Sequence, residues 1–332
     1  MWTVRPRRRH GPVVLLAMAL ATSVAAAQTK VPRQPHATPP PADTARWVAA
    51  QVALDRAGFS PGEIDGRPGT NTSRAIEGFQ EAHALDATGQ LDEATISRLG
   101  EWFGTPTTTY VVSDADAAGP FVPALPDDMM KLATLDALGY TSTLELLAER
   151  FHVRPTLLQQ INQGTPLAPG QSITVPNVEP FHPPAERKAS KPQLEGAAGV
   201  VTVSEMSKTV RVETGDGKIV FQAPVSIGSI QDPLPKGEWT ITGTAVLPVF
   251  QYNPSLFWDA DPGHAKAKIA PGPNNPVGVI WIDLSREHLG FHGTPEPSRI
   301  GKTQSHGCLR LTNWDAMRLA ELVGRGARVI LQ

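Results

Sequence analysis

The stretch FHGTPEPSRIGKTQSHGCLR, residues 291–310, constrains the chemistry of this chain more than any other. It holds the single cysteine of the sequence, Cys308, and two of the nine histidines, His292 and His306. His292 follows a β-rich run, and the loop from there to Ser305 is long enough to bring it back beside Cys308. In an extended backbone His306 and Cys308 share a face, since strand side chains alternate. The stretch therefore gathers a thiol and two imidazoles.

Two neighbours of the cysteine suit acyl chemistry. Gly307 lets the backbone turn sharply before Cys308, so that the amides of both residues can aim at a developing oxyanion. Arg310 carries a planar guanidinium whose paired N–H groups suit a substrate carboxylate. The spacing predicts Gly307 as part of the catalytic group and Arg310 as a substrate contact.

Three interpretations remain open on spacing alone. A cysteine thiolate activated by a histidine forms acyl-enzymes. Two histidines and one cysteine, His292, His306 and Cys308, also make an open zinc site. The third interpretation is a buried cysteine with surface histidines. A thiol flanked by His and Gly in an exported protein is poorly protected from oxidation, which argues against this third interpretation.

The surrounding motifs match a known family. These motifs are His292-Gly293-Thr294, Ile300-Gly301, Ser305-His306-Gly307-Cys308, Arg310-Leu311, the strand segment PKGEWTI at 235–241 and the segment PGPNNPVG at 271–278. Together they resemble the YkuD-type catalytic domain of L,D-transpeptidases. The resemblance implies a mainly β catalytic domain over 199–332, β-sandwich-like with one or two helices. Alternating apolar residues such as Val201, Val203, Val210 and Val212 agree with strands.

The resemblance also implies roles for individual residues. Cys308 would attack the L-centre carbonyl of a peptidoglycan stem tetrapeptide, releasing D-Ala and leaving a thioester. His292 would accept and donate the proton, with His306 in a supporting role. The predicted substrate contacts are Gly293, Thr294, Ser305 and Arg310. Because Gly293 has no side chain, we expect a backbone carbonyl to orient His292. No metal and no organic cofactor is expected.

Two smaller modules precede the catalytic domain. Residues 44–102 have helical apolar spacing around a DGRPG turn cluster at 65–69 and resemble three-helix peptidoglycan-binding domains. Residues 108–178 resemble a LysM module, a glycan-binding unit of strand, two helices and strand, here with an insertion after the first strand. Pro-rich or mixed-charge linkers are predicted at 28–43 and 179–198. The overall fold class is therefore multidomain: all-α, then α+β, then mainly β.

Composition and the N-terminal sequence indicate where in the cell the protein acts and which partners suit it. Residues 1–27 combine four arginines, an apolar core and an Ala25–Ala27 end, which predicts a cleaved secretory signal peptide. We therefore expect an exported protein of the periplasm or cell wall without a stable membrane span. The chain has 30 basic and 32 acidic residues, and the signal removes only basic ones, so nucleic acid is an unsuitable partner. A single cysteine excludes a disulfide framework within the chain.

The acyl acceptor is left open by the motifs. The predicted partners are peptidoglycan stem peptides and glycan strands, and a second stem gives a crosslink. Water in its place gives an L,D-carboxypeptidase or a crosslink-cleaving hydrolase, and a lysine amine gives attachment of an outer-membrane lipoprotein. A non-catalytic wall-binding protein is the alternative from another class. The intact set of His292, His306 and Cys308 argues against that alternative.

Overall fold

The computed structural model describes residues 42–183, 192–194 and 199–332. The predicted signal peptide and nearly all of the first predicted linker lie outside these residues, as does most of the second linker. Within the described residues, no helix is both long and apolar enough to cross a membrane.

A three-helix unit opens the described chain. Its helices are α1 (Ala42–Arg56), α2 (Thr70–Ala82) and α3 (Glu93–Phe103). Asp92 caps α3 by accepting a hydrogen bond from the Thr95 amide at 2.8 Å. The apolar faces meet in a core that includes Leu54, Phe59 and Phe79. The predicted helical unit is confirmed, and its apolar spacing is what builds that core.

The second module pairs two distant strands around helices. In chain order its elements are β1 (Thr107–Val111), α4 (Asp114–Ala118), α5 (Met129–Leu132), α6 (Thr143–Arg150), α7 (Pro155–Ile161) and β2 (Ser172–Pro176). β1 runs antiparallel to β2, and α4 and α5 occupy the predicted insertion. Asn162, at the end of α7, ties it to β2 by exchanging two 2.7 Å hydrogen bonds with the Thr174 backbone. The predicted order of strand, two helices and strand is present, while the likeness to LysM stays a prediction.

The catalytic region is built on one large sheet. Its strands are β3 (Gly199–Ser204), β4 (Thr209–Thr214), β5 (Ile219–Pro224), β6 (Gly237–Val246), β7 (Phe250–Tyr252), β8 (Ala267–Ile269), β9 (Ile280–Leu284), β10 (Gly290–His292), β11 (Leu309–Arg310) and β12 (Arg328–Leu331). Eight of them form a sheet in the order β11-β10-β9-β6-β12-β3-β4-β5, and β7 and β8 form a separate hairpin. The mainly β domain is confirmed, with eight of its ten strands joined in one sheet.

A single helix, α8 (Asn313–Leu322), follows β11 and packs on this sheet. Thr312 caps it by accepting from the Asp315 amide at 3.1 Å. Trp314, Leu319 and Leu322 of α8 belong to the same buried cluster as Ile282 of β9 and Phe291 of β10. Burial of these large side chains fixes α8 against β9 and β10, because about 25 cal/mol is gained per Å² of apolar surface removed from water.

The helical unit docks on β5, the edge strand at the far end of the sheet. The Ser60 amide donates to Gln222 O at 2.8 Å, and the Gln222 amide donates to Gly58 O at 2.9 Å. The Gln222 side chain also donates to the Arg74 carbonyl in α2 at 2.6 Å. These bonds use backbone groups that an edge strand would otherwise expose. The helical unit is therefore attached to the catalytic sheet by specific pairing.

Candidate active site

The register of β10 and β11 relates the segment of the nucleophile candidate to that of the base candidate. These strands are parallel, with Phe291 opposite Leu309 and His292 opposite Arg310. Residues paired across a sheet point to the same face, and so do residues two apart in a strand. Cys308 directly precedes β11, two positions before Arg310, and Arg310 lies opposite His292. The sheet edge thus sets Arg310 opposite His292 and leaves Cys308 just before the start of β11.

His292 is held as a neutral imidazole in one tautomer. Its Nδ1 lies 2.7 Å from the carbonyl oxygen of Gly293, and its ring stacks on Trp281 at 5.5 Å between centroids. A carbonyl only accepts, so Nδ1 carries the proton and Nε2 is the basic nitrogen. Burial, aided by the Arg310 charge, lowers the pKa of His292 to about 4, although the Gly293 hydrogen bond acts the other way. The backbone carbonyl expected to orient this ring is present.

Cys308 rests as a thiol. The residue is half-buried, and its S–H faces the His288 carbonyl oxygen at 3.5 Å. Burial raises the pKa of the Cys308 thiol to about 11, and Asp232 adds to the rise. A hydrogen bond from the Gly290 backbone and the positive charge of Arg310 act in the opposite direction. The expectation of a thiolate made by a neighbouring imidazole is therefore wrong for the resting site, because desolvation outweighs the nearby positive charge.

The turn before Cys308 has the shape that its residue types favour. Gly307 adopts a φ of +95°, a left-handed conformation that glycine reaches without a steric penalty. Buried Ser305 donates its hydroxyl to the Cys308 carbonyl at 2.5 Å, and its amide donates to Ile227 O at 2.8 Å. Ser305 thus closes the turn that presents the thiol, and its hydroxyl is engaged within the protein.

The loop after His292 is fixed by close packing. The Gly293 amide donates to Ile280 O at 3.2 Å, and a Cβ on Gly293 would lie 2.0 Å from Asn313 Oδ1. Thr294 is buried, and its hydroxyl accepts from the Glu296 amide at 3.2 Å. In this conformation Gly293 and Thr294 shape the loop that carries His292. Their predicted substrate contacts stay predictions.

Arg310 is anchored by its backbone. Its amide and carbonyl exchange two 2.9 Å hydrogen bonds with Ser226. The guanidinium donates to the Gln304 carbonyl. Its Nε is buried and has no hydrogen-bond partner among the described residues. The charged group is thus held near the thiol with one donor unused.

His306 faces a different element from the one expected. Its Nε2 lies 2.7 Å from Asp259 Oδ1, and its ring packs against Phe257 and Trp258 at 5.1 and 5.4 Å between centroids. These partners belong to residues 250–269, which we call the flap: the β7–β8 hairpin and its connecting turn. Throughout the described part of the chain, no group of three or more His, Cys, Asp or Glu side chains is arranged to hold a metal ion. The zinc interpretation of His292, His306 and Cys308 therefore has no geometric support.

Four residues near the site were not identified from the sequence. Trp281 stacks on the imidazole, Asn313 wedges against Gly293, Asp259 holds His306, and Asp232 acts on the thiol. Asn313 follows the helix cap Thr312, where a polar residue is unremarkable. No local pattern marks the others, because each reaches the site from a remote segment.

Comparison with known proteins agrees with this geometry. Residues 198–331 match the family model of the L,D-transpeptidase catalytic domain, and residues 44–99 match a family of peptidoglycan-binding domains. A Bacillus licheniformis protein named among the L,D-transpeptidases, YkuD, is 30% identical over 190 residues, which are 56% of this chain and 92% of that protein. YkuD of Bacillus subtilis is 29% identical over 57% of this chain and 93% of its own length.

Among solved structures, an L,D-transpeptidase from Mycobacterium smegmatis aligns with a TM-score of 0.34 and 22% identity, over 41% of this chain and 59% of that one. The sequence match with YkuD, which spans nearly all of that relative, is the decisive comparison. The chain belongs to the L,D-transpeptidase family and carries a peptidoglycan-binding domain ahead of its catalytic domain.

Proposed function

We propose that this protein forms peptidoglycan crosslinks through a thioester on Cys308. The donor is a stem tetrapeptide, in which the bond between diaminopimelate and the terminal D-Ala breaks and D-Ala leaves. The acceptor is an amine on a second stem, and its attack on the thioester makes a diaminopimelate-to-diaminopimelate crosslink. The observation that supports the proposal is the β10–β11 register, which sets His292 opposite Arg310, two residues after Cys308.

His292 serves as the proton carrier in both halves of the reaction. Its unprotonated Nε2 takes the thiol proton while sulfur attacks the donor carbonyl, and then gives that proton to the departing amine of D-Ala. In the second half Nε2 takes a proton from the attacking amine and returns it to sulfur. The Gly293 carbonyl keeps Nδ1–H fixed throughout, so a single tautomer serves each step.

The neutral resting pair favours proton transfer that accompanies attack. A thiol with a pKa of about 11 beside an imidazole with a pKa of about 4 does not form a stable ion pair. Burial disfavours the protonated form of His292. Once the imidazolium forms, it therefore donates its proton readily to the leaving amine. The Gly307 and Cys308 amides are proposed to stabilise the oxyanion, and the left-handed Gly307 supports that orientation.

The N-terminal modules are proposed to hold wall polymer near the site. The peptidoglycan-binding family match supports this role for the helical unit, and its pairing with β5 fixes it to the catalytic sheet. Glycan binding by the LysM-like module is proposed on its strand and helix order alone. When two modules of one protein each bind the wall polymer weakly, the substrate concentration near the thiol rises without new contacts at the thiol itself. This role is consistent with export to the periplasm or cell wall.

Product analysis tests the proposed reaction. Purified mature protein is incubated with tetrapeptide-bearing muropeptides, and products are measured by mass spectrometry. Crosslinked dimers with released D-Ala are expected, and Cys308→Ala abolishes them. Shortened stems alone would instead identify a hydrolase, and unchanged muropeptides would identify a binding protein. A lysine-bearing peptide added as competitor tests lipoprotein attachment.

A further inference from the structure

The connection between β5 and β6 passes over the turn that holds the nucleophile. Ile227 in this connection accepts a hydrogen bond from the Ser305 amide at 2.8 Å. Five residues further on, Asp232 Cβ lies 3.8 Å from the position that a side chain on Gly307 would occupy. Asp232 therefore stands against the turn that presents Cys308, although 76 positions separate the two in sequence.

Asp232 is held there by a tight turn. Its amide donates to the Ser229 hydroxyl at 3.1 Å, and the Ser229 amide donates to its carbonyl at 2.9 Å. A Cβ on Gly228 would lie 1.9 Å from the Asp232 carbonyl oxygen, so only glycine fits at that position. The carboxylate is consequently placed in advance of any ligand, which is how proteins build selective polar sites.

Two opposite charges beside the thiol each have an unused buried atom. Asp232 Oδ2 and Arg310 Nε are buried without a hydrogen-bond partner among the described residues. Native proteins rarely leave buried polar atoms unpaired, and such atoms call for a functional explanation. Both charges act on Cys308: Asp232 raises and Arg310 lowers its pKa. A ligand that brings a cation to the Asp232 carboxylate and an anion to the Arg310 guanidinium would pair both charges.

We propose that Asp232 and Arg310 form one subsite for the charged end of an α-amino acid, with Asp232 binding the ammonium of the acyl acceptor and Arg310 the adjacent carboxylate. The inference rests on the proposed function and identifies a residue that selects its acceptor. Leaving D-Ala and the amine at the D-centre of diaminopimelate share this ammonium and carboxylate on one carbon. Because release and attack are the same step in opposite directions, one subsite serves both.

The second half-reaction then balances as follows. The bound ammonium loses one proton to solvent, and the resulting amine attacks the thioester carbonyl. A C–N bond forms, the C–S bond breaks, and the second amine proton passes through His292 Nε2 to sulfur. Asp232 favours binding of the ammonium, and Arg310 selects amines that carry a neighbouring carboxylate. The subsite therefore prefers a stem acceptor to an isolated lysine side-chain amine.

The subsite is tested by measuring how a preformed thioester divides between attack by an amine and hydrolysis. This measurement does not depend on how fast the thioester forms. Acyl-enzyme made from a stem tetrapeptide is offered D-methionine or 3-(methylthio)propylamine, which lacks only the carboxylate, and the products are quantified against hydrolysis. Wild type is expected to use D-methionine at least tenfold better than the amine. Asp232→Asn should raise the KM for D-methionine at least tenfold and increase the hydrolysed share, and Asp232→Glu should recover part of the loss.

The matched control is Asp216→Asn, on the turn between β4 and β5, which should partition like wild type. The inference is overturned if Asp232→Asn leaves the KM for D-methionine and the partition unchanged, or if wild type uses the two probes equally. It is also overturned if Asp232→Glu behaves like Asp232→Asn, because the charge would then not matter. Failure of wild type to form any thioester would refute the proposed function itself, and is distinguished by intact mass.

Discussion

The proposed nucleophile and the proposed base both rest uncharged, and at the scale of single residues this is the most consequential property of the site. Burial is the largest cause at both positions, raising the pKa of Cys308 to about 11 and lowering that of His292 to about 4. Arg310 lowers both values, so it partly counteracts burial at the thiol and reinforces it at the imidazole. The raised pKa lowers the thiolate fraction of Cys308 near neutral pH, and the thiolate is the reactive species.

The reactivity of the free enzyme toward iodoacetamide should follow from this pKa. Alkylation of Cys308 reports the thiolate fraction, so its rate should rise about tenfold per pH unit from pH 7 to 10. Denatured protein is the control, where an ordinary cysteine levels off near pH 8.5, roughly its unperturbed pKa. A rate that is already level below pH 8 would show a thiolate–imidazolium pair and contradict the neutral description.

Gly293→Ala should damage catalysis through the backbone. The added Cβ would lie 2.0 Å from Asn313 Oδ1, so the segment must shift and move the carbonyl that holds His292 Nδ1. A displacement of about 1 Å costs roughly 100-fold in rate, and kcat should fall by about that factor. Gly100→Ala, in α3 with open space around its Cβ, is the control and should keep full activity. Equal activity of both variants would refute the positioning role.

Among the elements, the flap contacts His306, in the turn before Cys308, from outside the sheet. Tyr252 at the end of β7 bonds His264 at 2.8 Å, and His264 in turn lies 3.1 Å from Asp128. The tip turns Phe257 and Trp258 toward His306. The flap is therefore anchored at its base and touches the site at its tip, an arrangement suited to shaping a substrate groove.

Trp258→Ala should therefore alter substrate binding more than stability. The side chain is 58% exposed, so its loss removes little buried area, with an expected change in unfolding free energy under about 1 kcal/mol. KM for the stem donor should rise several-fold with kcat less affected, measured by D-Ala release. Leu256→Ala, 44% exposed on the same turn, is the matched control. An unchanged KM for Trp258→Ala would mean that the flap does not line the groove.

Helices and strands whose ends are marked by local residue patterns could be predicted from the sequence. Those whose ends depend on packing against distant residues could not. Helices α3 and α8 begin after the caps Asp92 and Thr312, and a cap followed by an apolar period can be read from the local sequence. The β-rich run that precedes His292 instead becomes a strand, β9, only at Ile280. The Gly278 amide donates to Asn275 O at 2.7 Å and closes a turn there, and Gly278, at φ +62°, packs against Asn313 and Gly293. Asp232 escaped prediction because it reaches the site from a remote segment.

Across the whole molecule, the second module reaches the catalytic loop through one buried carboxyl. Glu149 of α6 accepts from Asn313 Nδ2 at 2.6 Å, and Asn313 Oδ1 accepts from the Val279 amide at 3.2 Å. Nearby, His152 stacks on Trp314 at 5.1 Å and lies 3.0 Å from Asp55 of α1. The order of modules was predictable from sequence patterns. Their close docking was not, because it depends on polar residues scattered over all three.

This docking predicts a pH dependence of stability. Burial raises the pKa of Glu149 and of Asp315 to about 7, so the folded state retains protons that the unfolded state loses above about pH 4.5. Stability should therefore fall as pH rises from about 4.5 to 7, by about 3 kcal/mol for Glu149 alone. Glu149→Gln should flatten this slope in urea unfolding at pH 5 and 8.

Glu287→Gln is the control for that measurement, since the Glu287 side chain is 88% exposed and should leave the slope as in wild type. A wild-type stability that is the same at pH 5 and 8, or a Glu149→Gln slope equal to the wild-type one, would refute the buried-acid explanation.

Intact-mass spectrometry of the protein after brief incubation with a stem tetrapeptide tests the central claim most directly. We predict a mass increase equal to the donor minus D-Ala, located on Cys308 by peptide mapping and missing in Cys308→Ala. An adduct on another residue, or an enzyme that turns over with its mass unchanged at every time point, would contradict the thioester mechanism.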